Sequence, residues 1–139
     1  MAYRSGCRTT FHHPYYLVWT PKYRFKVLLG EVRFWVREII RQTCDEMGGT
    51  IINGALSKDH EHMFVEIPPQ VSIADFVRRA KGRSSRKIQQ EFEQIRKRYW
   101  SQRFWQRGYF STTSGNISDD IIMRYLGRHT HRDGFRPAP

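Results

Sequence analysis

The chain has few cysteines, few acidic residues and no long apolar run. Its two cysteines, Cys7 and Cys44, match neither a metal-ligand spacing nor a disulfide framework, which excludes a small stapled scaffold. Cys44 falls on the apolar side of a helical pattern and is expected to be a small core residue. No apolar stretch reaches the roughly 20 residues that a membrane-spanning helix needs. Met1 to Thr10 carries no apolar segment of the signal-peptide kind. A soluble, cytoplasmic chain with no membrane partner is therefore expected. Acid is the scarcest commodity: 13 Asp and Glu stand against 24 Lys and Arg, a net +11. Such an excess repels itself in a compact domain and calls for a polyanionic partner. Nucleic acid ranks above an anionic membrane surface, because no segment joins a long apolar face to a basic one. What is present is enough for a core. Hydrophobic residues make up 39% and aromatics 14% of 139 residues, which argues against disorder and for a single domain over 1–139.

Taken in order, Tyr15 to Thr20 is aromatic and β-branched, a first strand. Val32, Trp35, Val36, Ile39, Ile40, Thr43, Cys44 and Met47 recur at helical spacing, and Gly48-Gly49 supplies the stop. Thr50 to Leu56 reads as a second strand, Ser57-Lys58-Asp59 as a tight turn, and His60 to Ile67 as a third strand paired with the second. Ser72 to about Trp100 is helical. Within it, Lys81 to Lys87 reads either as a break between two helices or as a helix N-terminus, whose amides could approach phosphate. Trp105 to Thr113 is a fourth strand and Ser114-Gly115-Asn116 a turn. A last helix spans about 118–131, capped by Ser118 with Asp119 and Asp120 in its first turn. A loose basic tail covers 132–139. The order strand, helix, strand, strand, helix, strand predicts an α+β, ferredoxin-like split βαβ fold. Its four-stranded antiparallel sheet carries helices on one face, with the C-terminal helix, which holds Tyr125, left over.

Chemistry concentrates at His60-Glu61-His62. Residues two apart on a strand face the same way, so both imidazoles share a face and Glu61 takes the other. Paired imidazoles favour a transition or borderline divalent metal, while oxygen donors in the remaining positions would admit Mg²⁺ or Mn²⁺. The plainer alternative is two strand histidines satisfied by hydrogen bonds. Tyr125 and His129 are four residues apart, hence on one face of the last helix. A phenol can serve as nucleophile in phosphoryl transfer, and His129 would complete the metal shell of His60 and His62. Otherwise Tyr125 is a packing residue, and His129 and His131 belong to a solvated basic end. His12-His13, ahead of the first strand, suit a surface role better than ligation. Glu61, turned toward the helical layer, needs a partner: an arginine from that layer, or a strand end near solvent. Left without one, it would cost several kcal/mol in a dry site. Between Val71 and Gly108 cations far outnumber acids. Arg78, Arg79, Lys81, Arg83, Arg86 and Lys87 are the expected nucleic-acid-binding residues, acting mostly on phosphates, with a solvated helix face as the plainer alternative.

These segments together resemble the single-tyrosine HUH transposases (TnpA-type) of small bacterial insertion sequences and their REP-associated kin. The likeness runs through Leu17-Val18-Trp19-Thr20-Pro21-Lys22-Tyr23-Arg24, Asp59-His60-Glu61-His62 to Pro69, and Phe76 to Ser85. It continues through Tyr99-Trp100, Phe104-Trp105, Gly108-Tyr109-Phe110 and Gly115-Asn116 to Tyr125, nearly the whole chain. The family usually has an apolar residue where Glu61 stands, which could leave this copy impaired, and often glutamine where His129 stands. The resemblance implies a homodimeric, metal-dependent single-strand DNA endonuclease and strand transferase, a transposase acting on DNA hairpins at the ends of an insertion sequence. Tyr125 would form a 5′-phosphotyrosine link, with His60, His62 and His129 holding Mg²⁺ or Mn²⁺. It further implies that the tyrosine helix can serve the partner's histidines, with Ser114-Gly115-Asn116 as hinge. The alternative function is a non-catalytic or domesticated nucleic-acid-binding ferredoxin-like domain. An RNA-recognition module is disfavoured, since the third strand lacks its aromatic signature. A purely structural metal site is disfavoured because three ligands leave a position open.

Overall fold

Alternation along the first strand gives the sheet two different faces. Strand β1 (His13–Trp19) buries Leu17 and Trp19 on one side and Val18 on the other. A computed structural model describes residues 13–100, 103–113 and 119–127. After β1 come a 3-10 turn (Lys22–Arg24), helix α1 (Gly30–Glu46), β2 (Thr50–Ser57) and β3 (His60–Ile67). Helix α2 (Ile73–Glu91), short α3 (Glu93–Arg98), β4 (Phe110–Thr112) and α4 (Asp119–Gly127) complete the order. The strands lie in the order β2-β3-β1-β4, with β1 antiparallel to both β3 and β4 and β2 antiparallel to β3. This is the split βαβ sheet that the element order predicts.

The main core lies between the sheet and the first two long helices. Leu17, Trp19, Met63, Val65 and Ile67 from the strands meet Val36, Ile40 and Cys44 of α1 and Phe76, Val77, Ala80 and Ile88 of α2. Cys44 is a core residue as expected, and burial pushes its thiol up to about 12, so it has no nucleophilic character. The α1 stop is built as the sequence implies. Gly48 takes φ +82, and the Gly49 amide bonds Cys44 O at 2.9 Å. Ser72 caps α2, its hydroxyl accepting from the Asp75 amide.

Three expectations need correction. Lys81 to Lys87 is neither a break nor a helix N-terminus: α2 runs through it without interruption, and the chain kinks at Phe92 (φ −124, ψ 99). A single glycine costs only about 1 kcal/mol, and buried Ser84 returns its hydroxyl to Ala80 O at 2.6 Å while accepting Trp105 Nε1 at 2.9 Å. Its amides are thus spent inside the helix. The fourth strand is shorter than 105–113. Trp105 makes only an isolated bridge to Pro21 and sits 2% exposed in the core, so pairing with β1 begins at Phe110. The first strand also starts earlier, with His13 opposite Ile67. Ser118, the Ser114-Gly115-Asn116 turn, His12, His129, His131 and the tail 132–139 lie outside the described residues.

Candidate active site

Strand β3 alternates half-buried and buried along its whole length. His60, His62 and Phe64 therefore share one face, and Glu61, Met63 and Val65 point into the helical core. The two imidazoles stand edge to face, ring centroids 5.7 Å apart. In each ring Nδ1 makes the hydrogen bond: His60 Nδ1 with Asp59 Oδ1 at 3.1 Å, and His62 Nδ1 with Tyr16 Oη at 3.2 Å. A histidine that donates from Nδ1, as His60 does to the Asp59 carboxylate, is set to ligate through Nε2. Burial works against ionisation of Asp59, but the His60 hydrogen bond and the Arg24 charge outweigh it and keep the carboxyl below its ordinary range.

Helix α4 packs on this same face. Tyr125 and Leu126 are buried against Val18, with Tyr16 and Phe110 beside them, and the Phe110 and Tyr125 rings lie 6.1 Å apart. The Tyr125 side chain is 6% exposed, so in this pose its phenol is sequestered. Arg24 ties the helix to the histidines. Its Nε donates to Asp59 Oδ2 at 2.8 Å and its Nη1 to Leu126 O at 3.3 Å. Arg24 and its neighbour Tyr23 both hold left-handed backbone, φ 55 and 64, a conformation costing about 1–2 kcal/mol per residue outside glycine.

Of the predicted site residues, His60 and His62 are adjacent, Tyr125 lies on their sheet face, and His129 falls outside the described residues. Among the described residues no three His, Cys, Asp or Glu side chains converge for a metal. The donor set fits a metal in two positions, since the two neighbouring imidazoles have their Nδ1 atoms held. Sequence reasoning missed Arg24, Asp59 and Tyr16. Asp59 could have been suspected from its place beside His60; nothing local marks the other two.

Glu61 is 2% exposed on the core side, so it is not a strand end near solvent, and among the described residues no arginine pairs with it. Among the described residues its Oε1 has no hydrogen-bond partner, and the cation that acts on it is Lys81 of α2. Burial pushes the Glu61 carboxyl far up, more than Lys81 draws it back, so it is held as the neutral acid. That removes the cost of a buried charge and leaves the smaller cost of one unsatisfied oxygen.

A model of the family described as transposase IS200 like matches residues 9–129. The chain belongs to the IS200-like transposases. It is 35% identical over 118 residues to the transposase for insertion sequence element IS200 of Salmonella typhimurium, covering 85% of this chain and 78% of that protein. It is 31% identical over 123 residues to the ISDra2 transposase TnpA of Deinococcus radiodurans, covering 88% of each. The crystal structure of a putative transposase from Deinococcus radiodurans superposes with TM-score 0.78 at 27% identity, over 86% of this chain and 92% of that one. A REP-associated tyrosine transposase bound to a REP hairpin shares the fold, with TM-score 0.59 at 13% identity, over 84% and 62% of the two chains. Among the described residues no helix is long and apolar enough to cross a membrane.

The cations of this transposase are unequally available. On α2, Arg78, Arg79 and Arg86 are exposed. Arg78 and Arg79 share Asp75, while Arg83 grips Glu46 at 2.7 and 3.2 Å. Lys87 pairs with Glu91 at 3.4 Å and lies over the Trp35 ring. Lys81 turns inward and donates to Gln106 O at 2.9 Å and to Gly108 O. Burial, helped by the Arg103 charge, pulls its ammonium down to about 8. Arg78, Lys81, Ser85, Arg103, Trp105 and Arg107 line a groove of about 330 Å³ on the helical side of the sheet, away from the histidines.

Proposed function

We propose that this transposase cleaves and rejoins single-stranded DNA at hairpin-marked ends of an insertion sequence, with Tyr125 as nucleophile. The observation that carries the reading is one sheet face holding His60, His62 and the buried face of the Tyr125 helix, bridged by Arg24 and Asp59. The Tyr125 oxygen attacks the scissile phosphorus, a phosphorus–oxygen bond breaks, and the products are a 5′-phosphotyrosine and a free 3′-hydroxyl. Return attack by a 3′-hydroxyl restores the phosphodiester and frees the phenol, so no outside energy source is consumed. His60 and His62, with His129, would hold Mg²⁺ or Mn²⁺. Bound there, the ion would withdraw charge from the phosphate oxygens. Tyr125 must first leave its buried pose. The exposed α2 arginines and the groove at Arg103 and Arg107 would take the hairpin by its phosphates. The shared fold of the REP-hairpin-bound relative supports this choice of partner. A homodimer fits the outer edge of β2, which no strand pairs among the described residues and where Ile52 is 46% exposed.

The test is to incubate labelled hairpin-bearing single-stranded DNA with protein and Mg²⁺ or Mn²⁺ and look for a covalent adduct on a denaturing gel. Wild-type protein forms it and Tyr125→Phe does not, while Tyr125→Phe retains hairpin binding. An adduct with Tyr125→Phe would remove the nucleophile assignment.

A further inference from the structure

We propose that Arg24 is a positioning residue that latches the tyrosine helix onto its own chain's histidine face and, through Asp59, sets the ring of His60. This rests on reading Tyr125 as the nucleophile and His60 as a metal ligand. Neither the Lys22-Tyr23-Arg24 turn nor Asp59 has a role in the chemistry itself, yet both converge here.

The guanidinium is used at two edges. Nε reaches the Asp59 carboxylate at 2.8 Å and Nη1 reaches the carbonyl of Leu126 at 3.3 Å. That carbonyl belongs to α4, one residue after Tyr125. Only a planar fork spans both acceptors at once; an ammonium is a single point. The second Asp59 oxygen accepts from His60 Nδ1 at 3.1 Å, so one carboxylate joins latch and ligand. The backbone of Tyr23 and Arg24 is held left-handed where they meet this contact, the kind of strain that persists when its surroundings over-determine it.

The buried apolar contact of helix α4 is a small satellite cluster around Val18, Tyr125 and Leu126, and Met123 on the same helix is 58% exposed. The Arg24 contact adds a charge-assisted hydrogen bond to that apolar docking. The latched helix keeps the Tyr125 phenol buried, and release of Arg24 frees the helix to present it. Because the same carboxylate sets His60, a change at either end is felt at the other.

Metal-free, DNA-free protein tests this without using activity. Hydrogen exchange of α4 amides and the ring ¹⁵N shifts of His60 are followed in wild type, Arg24→Ala, Arg24→Lys and Asp59→Asn at a pH where the imidazole is neutral. Wild-type His60 is the Nδ1–H tautomer. Arg24→Ala speeds exchange at 123–127 by about tenfold or more while β1 and β3 keep their protection. Arg24→Lys speeds α4 exchange but keeps the His60 tautomer, because an ammonium still pairs with Asp59. Asp59→Asn yields mixed tautomers. Should Arg24→Ala loosen the strands as well, Arg24→Lys decides. Unchanged α4 exchange in Arg24→Lys overturns the latch, and an unchanged His60 tautomer in Asp59→Asn overturns its transmission. Loss of the DNA adduct reading would leave these measurements standing, and their failure would leave that reading standing.

Discussion

Replacing Glu61 with leucine should make the protein more stable, and the gain should grow with pH. The side chain is 2% exposed, points away from His60 and His62, and leaves Oε1 without a hydrogen bond among the described residues. An unsatisfied buried polar group costs about 1–3 kcal/mol, and leucine returns apolar contact with Ile40 and Met63, which line the same cleft of about 390 Å³. In a domain of this size each kcal/mol moves Tm by about 3–5 °C, so a rise of about 5–10 °C is expected in a metal-free thermal melt. The pH dependence follows from the raised carboxyl. Unfolded, Glu61 ionises near the ordinary value of about 4.3; folded, burial holds it protonated well above that. Below the unfolded value both states carry the proton and pH has no effect. Above it the unfolded chain releases the proton and the folded one does not, so wild-type stability falls by about 1.4 kcal/mol per pH unit until the folded group ionises. Glu61→Leu lacks that term. Melts in EDTA at several pH values from 4 to 8 supply the comparison. A leucine variant less stable than wild type, or a difference that does not widen from pH 4.5 upward, would refute the neutral-acid account.

Tyr16→Phe removes the hydroxyl on His62 Nδ1 at 3.2 Å and should weaken Mn²⁺ binding by about tenfold, as loss of an outer-shell partner does; calorimetric titration reads it. Hairpin affinity should fall steeply with salt, and Arg86→Ala, which removes an exposed cation with no ion-pair partner among the described residues, should reduce the slope of log Kd against log salt by about one. Gly49→Ala places a methyl 2.8 Å from Glu66 O and 2.9 Å from Cys44 Sγ, a clash expected to cost about 1–3 kcal/mol in urea unfolding.

Much of this molecule is written in local periodicity. The helical stripe from Val32 to Met47 and the twofold alternation of β3 were readable because each depends on residues a few positions apart. Those same periods put His60 with His62 and turned Glu61 to the core. Where reading by composition failed, packing had overruled it. Lys81-Gly82-Arg83-Ser84-Ser85 looks like a break, but Ser84 is buried beneath Trp105 and the helix continues. Trp105 looks like strand, but the core claims its ring.

By itself, then, the sequence determined the order of elements, the two faces of the sheet, the basic excess and the motif blocks of an IS200-like transposase. Tertiary structure alone decided which cations are exposed, that Lys81 turns inward to the carbonyls of Gln106 and Gly108, and that α4 lies on the histidine face. It also decided that Arg24 meets Asp59 across 35 residues and Leu126 across 102. Periodicity reports which side of its own element a residue faces. Which residues from distant elements meet there depends on how the elements pack, and that is where Tyr125 and the two histidines acquired their common ground.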